Sequence, residues 1–255
     1  MINFKLQRLP ACRAMCAVVL AASTGTILSA QGAPNPEQGR LDAHATPPTS
    51  RGPTGLHPLG LGPDRDGVRY VPARYKPDRP MPLVLALHGA GGAGARAITR
   101  LVPLADSLGF IVVAPDSRFA TWDIVRGGFG FDVLFIGEAL RQTFARYNID
   151  TTHMAIVGFS DGASYALSLG QMNGDLFTNI IAFSPGFQSV IKAYGRPRIY
   201  VAHGTRDEIL NIDRTSRVMV PKLKAQGYSV DYHEFDGTHS WSPDVVHDAL
   251  VWFIK

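Results

Sequence analysis

Cysteine is nearly absent from this sequence. The 255 residues hold two, Cys12 and Cys16, both within the first thirty. Loss of that segment would leave no thiol, which excludes a disulfide framework, a cysteine-ligated metal and a cysteine nucleophile from the rest. Long apolar runs are missing too. The stretch from Ala14 to about Ala22 falls short of the roughly 20 residues that cross a bilayer. Charge of one sign is also lacking, with 25 Lys and Arg against 21 Asp and Glu. Three of the cations, Lys5, Arg8 and Arg13, stand ahead of the apolar stretch, and without them the balance is 22 to 21. Neither nucleic acid nor an anionic membrane surface is expected as a partner of such a chain.

The basic start, the apolar stretch and the small residues at Ser29–Ala30 and Gly32–Ala33 together predict a secretory signal over residues 1–30. The expected destination is therefore periplasmic or extracellular. A retained anchor is the alternative. Residues 31–66 carry seven prolines and little periodic hydrophobicity. Such a stretch is expected to be a flexible linker, because it buries too little apolar surface to offset its ordering entropy.

From 67 to 255 the pattern changes. Pro82–His88, Phe110–Pro115, Met154–Val157, Asn179–Phe183, Arg198–Ala202 and Ser229–Phe235 are short apolar or alternating runs. Helix-length amphipathic stretches separate them, among them 93–108, 132–147, 162–169, 218–225 and 245–253. Strands alternating with helices predict an α/β domain with a mostly parallel sheet covered on both faces. Ligands bind such sheets beyond the carboxyl ends of the strands.

The loops at those ends carry the candidate chemistry. Gly158-Phe159-Ser160-Asp161-Gly162 is a G-x-S-x-G pentapeptide. Alone it is a modest signal, arising by chance on the order of once in ten chains of this length. Its setting between a strand and a helix sharpens it, since a nucleophile elbow needs that turn and needs glycines to relieve it. A serine hydroxyl then requires a base. His239, in a turn just past the last strand, is the best placed of the eight histidines; His247 lies in the closing helix and His233 inside a strand. An acid must orient the imidazole. Asp207 follows the preceding strand and is the first candidate, with Glu208 second and Asp236 too close in sequence to His239 to reach it. The turn His88-Gly89-Ala90-Gly91-Gly92 offers free backbone N–H groups, so Ala90 and Asp161 are the expected oxyanion donors. A phosphate-binding loop is the rival for this glycine cluster, but no Gly-Lys-Ser/Thr ending follows.

The segments LALHGAGG (85–92), VGFSDGASYALSLG (157–170), IAFSPGF (181–187), HGTRDEIL (203–210) and FDGTHS (235–240) resemble the phospholipase/carboxylesterase family and the polyhydroxybutyrate-depolymerase-like esterases of the α/β-hydrolase superfamily. The resemblance runs from about Val68 to the end. It implies an α/β-hydrolase fold and cofactor-free hydrolysis of carboxylic esters by Ser160, Asp207 and His239. The carboxylesterase branch often has Gln after the nucleophile, where this chain has Asp161, so the resemblance names a reaction and not a substrate. Small or medium acyl esters are the expected substrates. A polyester depolymerase, a feruloyl-type esterase and a catalytically dead binding protein on a hydrolase scaffold are the alternatives. No metal ligand set is apparent. Residues 117–131 combine aromatics with glycines after a strand end. They are expected to form a mobile apolar flap, with Trp122 and Trp241 as walls of the substrate pocket.

Overall fold

The computed structural model describes residues 35–255. The signal expected over residues 1–30 lies outside them. Eight strands form one sheet: β1 (Gly55–Pro58), β2 (Gly67–Val71), β3 (Met81–Leu87), β4 (Ile111–Pro115), β5 (Ile149–Phe159), β6 (Asn179–Phe183), β7 (Arg198–Gly204) and β8 (Val230–Phe235). Their order is β1-β2-β4-β3-β5-β6-β7-β8. From β4 across to β8 all neighbours are parallel, while β1 and β2 run antiparallel at one edge. The helices are α1 (Gly94–Ala97), α2 (Val102–Leu104), α3 (Phe131–Phe144), α4 (Asp161–Met172), α5 (Ser216–Ala225) and α6 (Pro243–Ile254).

Strand periodicity explains how the sheet is covered. In β3, Leu83, Leu85 and Leu87 join the core under α3, α4 and α5, whereas Val84 and Ala86 join the core under α1 and α6. Side chains alternate across a pleated strand, so a continuous apolar run serves both faces. The same division holds in β6, with Ile180 and Ala182 on one side and Ile181 and Phe183 on the other. Burial on this scale stabilises at roughly 25 cal/mol per Å² of apolar area.

The strands expected from 82 to 235 occur with small shifts of their ends. The helical stretch expected before β4 is instead broken into α1, a 3-10 turn (Ile98–Arg100), α2 and a wide turn at Ala105–Gly109. Pro103 sits in the first turn of α2, and a proline that lacks an N–H interrupts regular helical bonding.

The segment before β2 is not the loose linker that its composition suggests. Leu41, Ala43 and Leu59 are buried in the α3–α4 core. Leu41 N–H donates to Asn173 Oδ1 at 2.9 Å, and Asn173 Nδ2 donates back to Gly39 O at 2.8 Å. Arg40 forms a two-pronged pair with Asp175 at 2.7 and 2.9 Å. Tyr147 Oη donates to Pro53 O at 2.8 Å. A few apolar anchors and backbone bonds to distant residues thus offset the entropy that composition alone leaves unbalanced.

Candidate active site

The chain leaves β5, turns at Ser160 and enters α4. Ser160 has φ 57° and ψ −120°, a left-handed conformation that costs a non-glycine residue on the order of 1–3 kcal/mol. The glycines on either side make the turn possible. A Cβ on Gly158 would strike Gly162 O, and one on Gly162 would strike Leu87 O. The turn is pinned by Ser160 N–H donating to Phe183 O at 3.0 Å. Strain here lifts the hydroxyl clear of the sheet and sets it at the N-terminus of α4.

The structure brings Ser160, His239 and Asp207 together from three loops. Ser160 Oγ is 2.9 Å from His239 Nε2, and His239 Nδ1 is 2.7 Å from Asp207 Oδ2. Asp207 follows β7 and its side chain is fully buried, while 16% of the His239 side chain is exposed. Asp207 Oδ1 accepts from Ile209 N–H at 3.0 Å and Leu210 N–H at 2.7 Å. Burial by itself would push the Asp207 carboxyl up. The hydrogen bond from His239, the Leu210 N–H and the adjacent imidazoles outweigh it and hold the carboxyl below its ordinary range. An ionised carboxylate in this position keeps a proton on His239 Nδ1, leaving Nε2 free to accept from a hydroxyl.

The other candidate acids and bases stand apart. Glu208 is exposed, and Asp236 pairs with Arg206 at the surface. His247 is exposed in α6. His233 stacks on Tyr200 at 4.5 Å.

The oxyanion candidates lie on the near side of Ser160. A Cβ on Gly89 would stand 3.3 Å from Ser160 Cβ, so the 88–92 turn passes directly over the nucleophile candidate. Among the described residues, no protein acceptor takes the N–H of Ala90. Asp161 opens α4, where the first-turn N–H groups have no partner within the helix. Both donors are therefore free for a ligand oxygen.

The turn is held from outside. His88 Nε2 accepts from Ser117 N–H at 3.0 Å, and His88 Nδ1 donates to Gly89 O at 2.7 Å. Burial lowers the His88 imidazole below its ordinary value, which agrees with a neutral ring that accepts at Nε2. Gly91 N–H donates to Ala120 O at 2.6 Å. Arg65 donates to Gly92 O at 3.0 Å. Thr121 Oγ1 donates to Asp161 Oδ2 at 2.6 Å, tying the same strap to the residue after Ser160.

Trp122 departs from its expected place. It is fully buried, its Nε1–H donates to His88 O at 2.8 Å, and its ring stacks on Tyr165 at 5.2 Å. It braces the back of the 88–92 turn and does not line the cavity. Although it stands next to the polar Asp123, the indole buries its one donor on a backbone carbonyl and loses no hydrogen bond. The expected mobile flap is likewise stitched down. Asp132 accepts from Arg118 N–H and Asp123 N–H at 2.6 and 2.7 Å, and Asp123 accepts from Gly130 N–H at 2.8 Å. Phe131 points outward, 68% exposed.

Trp241 does line a cavity beside Ser160. The space, about 240 Å³, is walled by the 88–93 turn, Phe159, Trp241 and one face of the α1 segment. Trp241 stacks on Phe159 at 5.6 Å. Sequence reasoning missed Arg65 and Thr121, whose partners lie 27 and 40 residues away. It also missed Arg96 and Arg100, although their four-residue spacing just after the glycine turn was visible.

An eight-stranded, mostly parallel sheet with a strained serine between strand and helix defines the α/β-hydrolase type of fold. The comparisons narrow this. The model of the Esterase family, described as "Putative esterase", matches residues 60–246, and the chain belongs to that family. The bifunctional acetylxylan esterase/xylanase XynS20E of Neocallimastix patriciarum is 31% identical over 155 residues, 59% of this chain and 22% of that protein. "Probable feruloyl esterase C" of Aspergillus oryzae is 26% identical over 168 residues, 62% of this chain and 60% of that protein. The chain thus spans less than two thirds of either relative. Among solved structures, S-formylglutathione hydrolase from Staphylococcus aureus superposes with a TM-score of 0.61 at 11% identity, covering 79% of this chain and all of that one. Esterase PE8 gives 0.60 at 21% identity, with 74% and 97% covered. At such identities these structures speak for the fold alone.

Proposed function

We propose that this protein hydrolyses carboxylic esters through an acyl-enzyme on Ser160. His239 Nε2 takes the hydroxyl proton as Ser160 Oγ attacks the ester carbonyl carbon. The carbonyl oxygen gains charge opposite the N–H groups of Ala90 and Asp161. His239 returns the proton to the departing alkoxide, releasing the alcohol. Water then repeats the attack with His239 as base, releasing the acid and restoring the serine. Asp207 holds the imidazole in the required tautomer.

The observation that carries this reading is the unbroken chain from Ser160 Oγ through His239 to Asp207, at 2.9 and 2.7 Å, on a serine in strained backbone. The cavity of about 240 Å³ suits small or medium acyl groups. Family membership supports ester bonds as the target. The names of the relatives add a second arm to the substrate panel, acetylated xylan and feruloyl esters. No helix among the described residues is long and apolar enough to cross a membrane. Export by the 1–30 segment belongs to the same proposal and rests on the sequence alone.

Labelling with a fluorophosphonate probe, followed by peptide mapping, tests the mechanism. The label is expected on Ser160 and is lost in Ser160→Ala. A chain that labels nowhere and turns over no nitrophenyl ester is a binding protein on this scaffold. Nitrophenyl esters of rising chain length, set beside methyl ferulate and acetylated xylan, identify the preferred acyl group.

A further inference from the structure

The cavity beside Ser160 has a cationic wall. Ala93, Arg96, Ala97 and Arg100 all line it. Ala93 precedes α1, and the other three lie on α1 and the 3-10 turn that continues it; a spacing of three and four residues stacks side chains on one helical face. The alanines keep that face shallow between the two guanidinium groups. Arg100 also reaches across the opposite wall, its guanidinium carbon 5.7 Å from the centre of the Trp241 ring.

Among the described residues these cations lack carboxylate partners. Arg40, Arg141, Arg206 and Arg217 are all ion-paired, but among the described residues neither Arg96 nor Arg100 is. The sequence from 88 to 105 contains no Asp or Glu. The carboxylates on the adjoining loops are engaged elsewhere: Asp116 accepts from Gly94 N–H at 2.6 Å and Asp161 from Thr121. Like charges placed four residues apart on one helical face repel each other. Two guanidinium groups at the mouth of a small cavity favour an anion there, against the charges of Asp116 and Asp161, which reach His88 on the same cavity.

We propose that this cavity takes esters bearing a carboxylate, on the acyl or the alcohol half, with Arg96 and Arg100 holding the anion while the ester carbon sits at Ser160. The proposal rests on the hydrolytic reading above. It specifies what that reading leaves open, namely the charge of the substrate. Arginine suits the task because its planar fork meets a carboxylate with two parallel hydrogen bonds.

The test uses the full chain and two matched pairs of esters, with acid release followed by pH-stat. Monomethyl adipate is set against methyl hexanoate, and 3-acetoxybenzoate against phenyl acetate. In at least one pair kcat/KM for the anion is expected to exceed that of its neutral match by on the order of tenfold at low salt. Most of the difference should appear in KM, and it should shrink as NaCl is raised. The double variant Arg96→Gln/Arg100→Gln should bring the ratio close to one and remove its salt dependence. Equal or better turnover of the neutral ester in both pairs overturns the proposal and leaves the hydrolytic reading standing. An anion preference that survives in the double variant also overturns it. No turnover of any of the four, together with no fluorophosphonate labelling, overturns the hydrolytic reading and this inference with it.

Discussion

The two loops that flank Ser160 are fixed by different means. The 203–210 loop holds its carboxylate from within, while the Thr205 and Arg206 N–H groups donate to Phe235 O and Gly237 O. Its own N–H groups at Ile209 and Leu210 hold Asp207, and His203, buried at its root, lies 3.1 Å from Asp207 Oδ2 and donates to Leu210 O at 2.8 Å. The 88–92 loop leans on others: Arg65, the 117–122 strap and the indole of Trp122. Such a loop can hold a charge in place with local bonds. The glycine-rich turn has one internal backbone bond, Gly92 N–H to Gly89 O at 3.0 Å; because the Ala90 N–H stays free for a ligand, much of its remaining support comes from outside.

The largest expected effect lies between the loops. Ser160→Ala or His239→Ala should each lower kcat by on the order of 10⁶ with an unchanged circular dichroism spectrum, because the two act as one unit. Substantial activity in either variant would detach both loops from catalysis. Asp207→Asn probes the 203–210 side. Asn retains an acceptor for the Ile209 and Leu210 N–H groups but turns its amide toward His239, favouring the wrong tautomer. A loss of about 10⁴ in kcat is expected, with little change in Tm.

Trp122→Ala probes the supported side, and here stability should suffer first. Emptying a fully buried indole site costs about 3–5 kcal/mol, or roughly 10 °C in a domain of this size. The acyl-length profile of the surviving activity should match that of the wild type. A shifted profile would return Trp122 to the pocket wall.

The strap has a pH signature. Burial pushes the Asp132 carboxyl up from 3.8 to about 6, with help from the Asp123 charge and against the Arg118 and Asp123 N–H groups. Below the unfolded value both states are protonated. As pH rises to about 6, the unfolded chain releases the proton more readily, so this group's share of stability falls and then levels off. Thermal melts from acid to neutral pH should show wild type losing about 3 kcal/mol, roughly 8 °C, relative to Asp132→Asn over that window. A pH-independent difference would mean that the Asp132 carboxyl titrates alike in the folded and unfolded chain.

The smallest effect is expected at Thr121→Val, which removes the tie to Asp161 and preserves the side-chain shape. A few-fold fall in kcat, about 1 kcal/mol, with KM unchanged would mark a weakened oxyanion donor. An equal fall for Thr121→Ser, which keeps the hydroxyl, would point instead to lost packing.

Much of this molecule follows from local sequence. Apolar runs that bury both faces identify β3 to β7, and the glycines around Ser160 are required by the turn itself. Asp207 and His239 stand in the loops directly after β7 and β8, where the order of strands allows few other choices. The tertiary structure decided what depends on distant partners. Residues 35–66 are anchored through Leu41, Asn173 and Arg40, whose pairing no composition reveals. Trp122 turns inward because a backbone carbonyl of a loop 34 residues away satisfies its N–H, and the cavity wall falls to Trp241 and to Arg96 and Arg100. Local sequence sets backbone preference and burial pattern, which are properties of neighbours along the chain. Which side chain faces a cavity depends on elements that meet only after the sheet has closed around them.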